Sequence, residues 1–133
     1  MFRFFNPNPA GKFVGDCTIR AICKLLDKDW DEVYAGTVLQ GFFGKDMPSG
    51  NSIWGAYLKR KGFIRKWLPD TCPDCYTVED FCIDFPWGRF LLALDQHVVT
   101  VVNGDYYDTW DSGKEIVNYY WIKKEDDICQ IRS

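Results

Sequence analysis

Residues 101–107 read Val-Val-Asn-Gly-Asp-Tyr-Tyr, and this stretch decides the fold predicted for the second half of the chain. Asn-Gly between two runs of β-branched and aromatic residues favours a two-residue type I′ turn. With Asn103 and Gly104 as the turn, Val102 lies opposite Asp105 and Val101 lies opposite Tyr106. The stretch therefore predicts a β-hairpin with a fixed register.

The register of this hairpin selects a histidine–aspartate pair. Side chains alternate between the two faces of a strand, so Asp108 is a diagonal neighbour of His97 at about 7–8 Å. Asp111 points to the other face. The Asp108 carboxylate is thus expected to approach the imidazole of His97, the only histidine in the chain. Trp110, opposite His97, is expected to wall the site and exclude water.

The remaining elements follow from apolar periodicity and from capping residues. Strands are expected at 63–68, 90–94, 98–102 and 117–122. Helices are expected after Asp16, after Asp29, after the turn at 47–51 and after Thr77. Because the helices come first, the predicted fold class is α+β, with N-terminal helices packed on a C-terminal antiparallel sheet. A length of 133 residues predicts a single domain over 1–133.

Cys17 is the candidate nucleophile. It falls in the first turn of the helix expected after Asp16, where the helix dipole and free amides stabilise a thiolate. A neighbouring imidazole, oriented by a carboxylate on its other nitrogen, completes the chemistry of a catalytic triad. We expect Cys17 to attack, His97 to act as general base and Asp108 to orient His97. The backbone N–H of Cys17 is an expected oxyanion donor.

Three segments carry a resemblance to a known superfamily. Residues 15–22 read Gly-Asp-Cys-Thr-Ile-Arg-Ala-Ile, residues 97–102 read His-Val-Val-Thr-Val-Val, and residues 107–110 read Tyr-Asp-Thr-Trp. They resemble the Cys, His and Asp motifs of papain-like cysteine peptidases, especially small phage and bacterial proteins similar to bacteriocin-leader-processing peptidases. The resemblance implies a papain-like fold and a thiol hydrolase that cleaves a peptide, amide or isopeptide bond through an acyl-enzyme.

One position departs from the superfamily's pattern. Papain-like enzymes usually carry a glutamine a few residues before the cysteine, where it completes the oxyanion hole. Residues 8–14 read Asn-Pro-Ala-Gly-Lys-Phe-Val and contain no glutamine. Asn8 is the expected substitute, with Asn6 behind it. The missing glutamine keeps a second hypothesis open, a non-catalytic binding module on the same fold, for example a phage protein that captures a host protein or a small molecule.

Structural roles compete with the catalytic hypothesis. Free cysteines are often small buried hydrophobes, and a lone histidine beside an apolar strand is often a hydrogen-bonded core residue. The Cys72-Pro-Asp-Cys75 motif matches half of a zinc site or a redox pair, to which Cys82 or Cys129 would add thiolates. Without a second such motif or a spare histidine, a surface turn is favoured. We expect no metal and no cofactor.

Composition excludes several classes of function. The hydrophobic fraction of 47% and aromatic fraction of 17% exclude a disordered chain. A net charge of -3 without a basic stripe argues against nucleic acid as a ligand. No segment has the roughly 20 apolar residues of a membrane span, and no signal peptide is evident. The expectation is a cytoplasmic protein with reduced thiols, in the host cytoplasm if the gene is a phage gene, with its oligomeric state left open.

Overall fold

The computed structural model describes residues 1–68 and 75–127. The strands found there are β1 (Phe2–Phe4), β2 (Phe63–Trp67), β3 (Arg89–Leu94), β4 (His97–Val102), β5 (Asp105–Asp108) and β6 (Tyr119–Lys123). They form one sheet in the order β1-β5-β4-β3-β6-β2. Neighbouring strands run antiparallel except β1 and β5, which run parallel.

Helices cover both faces of the sheet. Within the described residues they are α1 (Cys17–Leu26), α2 (Trp30–Gly44), α3 (Asn51–Arg60) and α4 (Val78–Asp84), and one more helical turn lies at 124–127. Alternate residues of β3 pack into two hydrophobic cores, one on each face of the sheet. Leu91 and Ala93 pack with α1, α2 and α3, whereas Phe90 and Leu92 pack with Phe81 of α4. None of these helices has the length and apolar character needed to cross a lipid bilayer.

The predicted α+β class is confirmed, but the sheet differs from the expected C-terminal antiparallel one. Its first strand, β1, precedes all the helices and pairs in parallel with β5. β2 lies between α3 and α4 in the chain. A three-residue strand such as Phe2–Phe4 is too short to show the alternation from which strands are predicted.

The predicted elements are present with small shifts of their ends. The four expected strands appear within two residues of their predicted bounds, and the helices begin where the capping residues placed them. The Asp29 side chain accepts a hydrogen bond from the Glu32 amide at 2.8 Å. Thr77 and Asp80 form a reciprocal capping box at the start of α4. These local signals therefore fix where α2 and α4 start.

The Asn103–Gly104 turn has the predicted type. Both residues have positive φ, 49° and 81°, as a type I′ turn requires. Val102 pairs with Asp105 and Val101 pairs with Tyr106, so the predicted register is confirmed. As a result, the first residue of β4 and the last residue of β5 lie at the same end of the sheet.

Helix α1 packs along β4 with its N-terminus at that same end. The Thr100 hydroxyl donates to the Ala21 carbonyl in the middle of both elements. At the far end, Arg89, which pairs with Val102, donates to the Lys24 carbonyl. The N-terminus of α1, with Cys17, consequently lies beside the start of β4.

Replacement of Gly104 by alanine is expected to lower the free energy of unfolding by about 1–2 kcal/mol, because a side chain is penalised in the left-handed region. Steric clash adds little, since the nearest atom to a Cβ there is the Cys82 carbonyl oxygen at 3.6 Å. Gly15→Ala is the control, because its Cβ meets nothing within 4 Å. Urea unfolding of both variants measures the difference, and equal losses would contradict the argument.

Candidate active site

The structure brings together the three side chains predicted as a triad. Cys17 is the first residue of α1, His97 the first of β4 and Asp108 the last of β5. His97 Nε2 lies 2.6 Å from Asp108 Oδ2. The His97 side chain also hydrogen-bonds the Cys17 thiol. Since Nε2 faces the carboxylate, Nδ1 is the ring nitrogen left for the sulfur.

Asp108 is completely buried, with 0% of its surface exposed. Its Oδ2 also accepts a hydrogen bond from the Ser112 hydroxyl at 2.8 Å. Its Oδ1 accepts from the Thr109 amide at 2.8 Å and from Arg20 Nη2 at 3.0 Å. Burial alone would raise the pKa of Asp108, but the contacts with His97, Ser112 and Thr109 outweigh burial and lower that pKa. The carboxylate is therefore held ionised beside the imidazole.

Arg20 connects this carboxylate to the start of α1. The side chain is buried, and its Nη1 donates to Asp16 Oδ1 at 2.9 Å. The other oxygen of Asp16 accepts from the indole N–H of Trp30 at 2.9 Å. Asp16 thus occupies the N-cap position but makes no side-chain cap bond. Its carboxylate instead pairs with the arginine.

Arg20, Asp16 and Ser112 belong to the site but are not predicted as part of it from the sequence. The sequence carries one signal for Arg20, because it lies in the run Ile-Arg-Ala-Ile-Cys at 19–23, where every other residue is apolar. An arginine in such a run must be paired. The sequence does not say with which partner, since Asp108 is 88 positions away.

The Cys17 thiol is activated by its surroundings. Burial alone would raise the pKa of Cys17. The hydrogen bond with His97, a backbone hydrogen bond with Val98 and the positive charges of His97 and Arg20 outweigh burial and lower that pKa. Cys17 is half-buried, so the sulfur keeps access to solvent.

The pKa of the His97 imidazole is shifted in the opposite direction, upwards. Burial alone would lower the pKa of His97, but its hydrogen bonds to Asp108 and Cys17 and the charges on both partners raise it to about 9. The histidine therefore stays protonated at neutral pH while the cysteine loses its proton more readily than a free thiol. The pair favours thiolate and imidazolium.

A cavity of about 510 Å³ opens at the sulfur and the imidazole. We call it the Cys17 cleft. Thr18 of α1, Ser49 before α3 and the Asp95–Gln96 turn between β3 and β4 contribute to its lining. Three residues with side-chain amides also line it: Asn51, Gln96 and Asn118. Local sequence patterns did not single them out, because the three segments meet only in the tertiary structure.

Asn8 is not among the residues that line the Cys17 cleft. It lines a neighbouring cavity with Pro9 and Trp30. Its Oδ1 accepts a hydrogen bond from the Ala10 amide at 2.9 Å. The oxyanion role of Asn8 stays a prediction, and the backbone N–H of Cys17 is the oxyanion donor that the helix start provides.

Trp110 packs against the imidazole, as the hairpin register predicts. The two ring centroids are 4.8 Å apart with an interplanar angle of 38°. The indole is 44% exposed. It therefore separates part of the His97 ring from solvent, which is the contact expected of a wall of the site.

Chain comparisons with protein-family models, with curated proteins and with solved structures found no match. The function must therefore be inferred from the geometry of the site.

Two other described cysteines, Cys23 and Cys82, differ from Cys17. Burial raises the pKa of Cys23 to about 12 and that of Cys82 to about 11. Cys72 and Cys129 lie outside the described residues, so the interpretation of the Cys72–Cys75 motif as a surface turn stays a prediction. Within 1–68 and 75–127, no three His, Cys, Asp or Glu side chains cluster so as to hold a metal ion.

Arg20→Met is expected to lower the free energy of unfolding by roughly 3–5 kcal/mol, because two buried carboxylates lose their counter-charge. Arg3→Met is the matched control. Arg3 pairs with Asp105 at the surface, where their side chains are 52% and 27% exposed, so a loss below about 1 kcal/mol is expected. Urea unfolding compares the two variants. Equal losses would show that the Arg20 pairs contribute no more than a surface ion pair.

The rate of alkylation of Cys17 by iodoacetamide is expected to rise with pH, and the midpoint of this rise should lie below the usual thiol pKa of 9.0. In His97→Asn the curve should move to higher pH, because the imidazolium no longer stabilises the thiolate. Intact-mass kinetics with peptide mapping over a pH series measures both curves. Identical curves for the two proteins would contradict the thiolate–imidazolium pair.

Proposed function

We propose that the protein is a thiol hydrolase with a papain-like fold, which cleaves an amide or isopeptide bond through an acyl-enzyme on Cys17. One observation carries the proposal. The thiol at the N-terminus of α1 hydrogen-bonds His97, whose Nε2 lies 2.6 Å from a buried, ionised carboxylate. A nucleophile, a base and an orienting acid in contact are the groups that acyl transfer requires.

The first half-reaction forms the acyl-enzyme. The Cys17 thiolate adds to the carbonyl carbon of the substrate and the carbonyl oxygen becomes an oxyanion. As the first residue of α1, Cys17 has a backbone N–H without an intrahelical acceptor, and this N–H donates to the oxyanion. The His97 imidazolium gives its proton to the leaving amine, so that the C–N bond breaks and a thioester remains.

The second half-reaction releases the acyl group. His97 is now neutral and removes a proton from a water molecule that attacks the thioester. The C–S bond breaks and the sulfur leaves as thiolate, which again pairs with the imidazolium. The raised pKa of His97, about 9, favours the protonated form between turnovers.

Asp108 orients the imidazole without taking its proton. Its carboxylate fixes the Nε2–H tautomer, and Nδ1 then faces the sulfur. Arg20 and Ser112 hold the two carboxylate oxygens from other directions. They are positioning residues, because they act through Asp108.

The order of elements supports the papain-like part of the proposal. The nucleophile begins the first helix, the histidine begins a strand and the acid lies on the next strand. This is the order that the sequence resemblance implies. Helix α1 also packs on the sheet so that its N-terminus meets the start of β4.

Acylation by the p-nitrophenyl ester of a small carboxylic acid tests the proposal. The expected result is a thioester on Cys17, detected by intact mass, with catalytic release of p-nitrophenol. Cys17→Ala should abolish both, and His97→Ala should slow turnover by about 10²- to 10⁴-fold. Cys23→Ala, which removes a buried thiol of raised pKa, should leave the rate unchanged.

Unchanged turnover in Cys17→Ala, or no acylation of Cys17 in the intact protein, would contradict the proposal. Either result would favour the non-catalytic binding module.

A further inference from the structure

A second cavity adjoins the Cys17 cleft. It has a volume of about 570 Å³. Gly15, Thr18 and Ser49 line both cavities, so the two adjoin at these three residues. A ligand that reacts at the sulfur can therefore extend into the second cavity, which we call the apolar cavity.

The lining of the apolar cavity is mainly hydrophobic. Its larger apolar residues are Pro9, Val14, Ile19, Trp30, Tyr34 and Pro48, with Ala10 beside them. The rings of Trp30 and Tyr34 stack with centroids 4.7 Å apart. Val14 is 46% exposed and Tyr34 is 47% exposed. The cavity therefore presents apolar surface to water that a bound side chain would cover.

Two of the polar side chains that line this cavity, Asp16 and Asn8, already have partners. Both oxygens of Asp16 accept hydrogen bonds, one from Arg20 and one from Trp30. Asn8 Oδ1 accepts from Ala10. The buried carboxylate therefore contributes little attraction for a polar ligand. Lys12, Thr18 and Ser49 complete the polar part of the lining, but the larger share of the wall is apolar, so contact with the apolar walls is the main means of recognition.

We propose that the apolar cavity is a specificity subsite of the hydrolase, which takes a large apolar side chain of the substrate, aromatic or branched aliphatic, close to the bond that is cut. This inference rests on the proposed function of Cys17. It adds the substrate class: peptides or acylated amines with a bulky hydrophobic group beside the scissile amide.

The wall of the subsite is fixed relative to the nucleophile. Trp30 is bound to Asp16, and Asp16 directly precedes Cys17 and is bound to Arg20. A side chain seated against Trp30 would thus hold the adjoining carbonyl at a set distance from the sulfur. Such positioning contributes to rate as well as to affinity.

Two alkylating reagents of matched reactivity test the subsite: N-(2-phenylethyl)iodoacetamide and N-(2-hydroxyethyl)iodoacetamide. In both, the Cys17 sulfur displaces iodide and forms a thioether. Each rate constant at Cys17, from peptide mapping, is divided by the rate constant of the same reagent with 2-mercaptoethanol. The normalised ratio of phenylethyl to hydroxyethyl then reports the subsite alone.

The expected ratio is about 10- to 100-fold, the discrimination that burial of one apolar group provides. The rate of modification of Cys17 should also saturate as the concentration of the phenylethyl reagent increases. Val14→Asp should reduce the ratio by about tenfold, because it places a charge in the apolar wall. Tyr34→Ala is a second wall variant, which keeps the proposal testable if Val14→Asp fails to fold. Ile83→Asp is the matched control, because Ile83 is exposed on α4, which packs on the opposite face of the sheet from α1.

A ratio near one, or a ratio that both wall variants leave unchanged, would overturn the subsite. A different result would contradict the proposed function: a rate constant of Cys17 with the hydroxyethyl reagent that is no higher than that of 2-mercaptoethanol. Because the ratio does not depend on the absolute rate, the two failures are distinguishable.

Discussion

The ion pairs of Arg20 are the constraint on which the site depends. One guanidinium, buried in the interior, binds Asp16 at the start of α1 and Asp108 at the end of β5. Removing charges from water is costly, so such an arrangement persists only when the geometry is good and the remaining donors and acceptors are satisfied. Here Trp30, Ser112 and Thr109 supply those further hydrogen bonds. The helix and the sheet are consequently held in one relative position.

The charges of the site alternate in sign along a chain of contacts. Asp16, Arg20, Asp108, His97 and Cys17 follow one another, and each ionised group contacts a group of opposite charge. In an interior of low dielectric this alternation strengthens every pair. A thiolate at the end of the chain is therefore stabilised by His97, which is itself held by Asp108 and, behind it, by Arg20.

Local sequence signals predicted part of this site and could not predict the rest. The Asn103–Gly104 turn fixes the register that pairs His97 with Asp108, and Asp16 marks the helix start that carries Cys17. The meeting of sulfur and imidazole depends on the packing of α1 along β4, which no local pattern encodes. Strand alternation alone would place the His97 side chain on the same face of the sheet as Val99, which is the face that packs against α4. As the first residue of its strand, His97 can turn towards α1 instead.

The short strand β1 has a further consequence for the molecule. It covers the outer side of β5, and the Phe5 amide donates to the Asp108 carbonyl at 2.9 Å. Without it, the backbone next to the acid would be an open sheet edge, where a strand from another molecule could add. With only three residues, β1 itself offers a poor template for such addition. The acid is thus shielded from the intermolecular pairing to which exposed β-edges are prone.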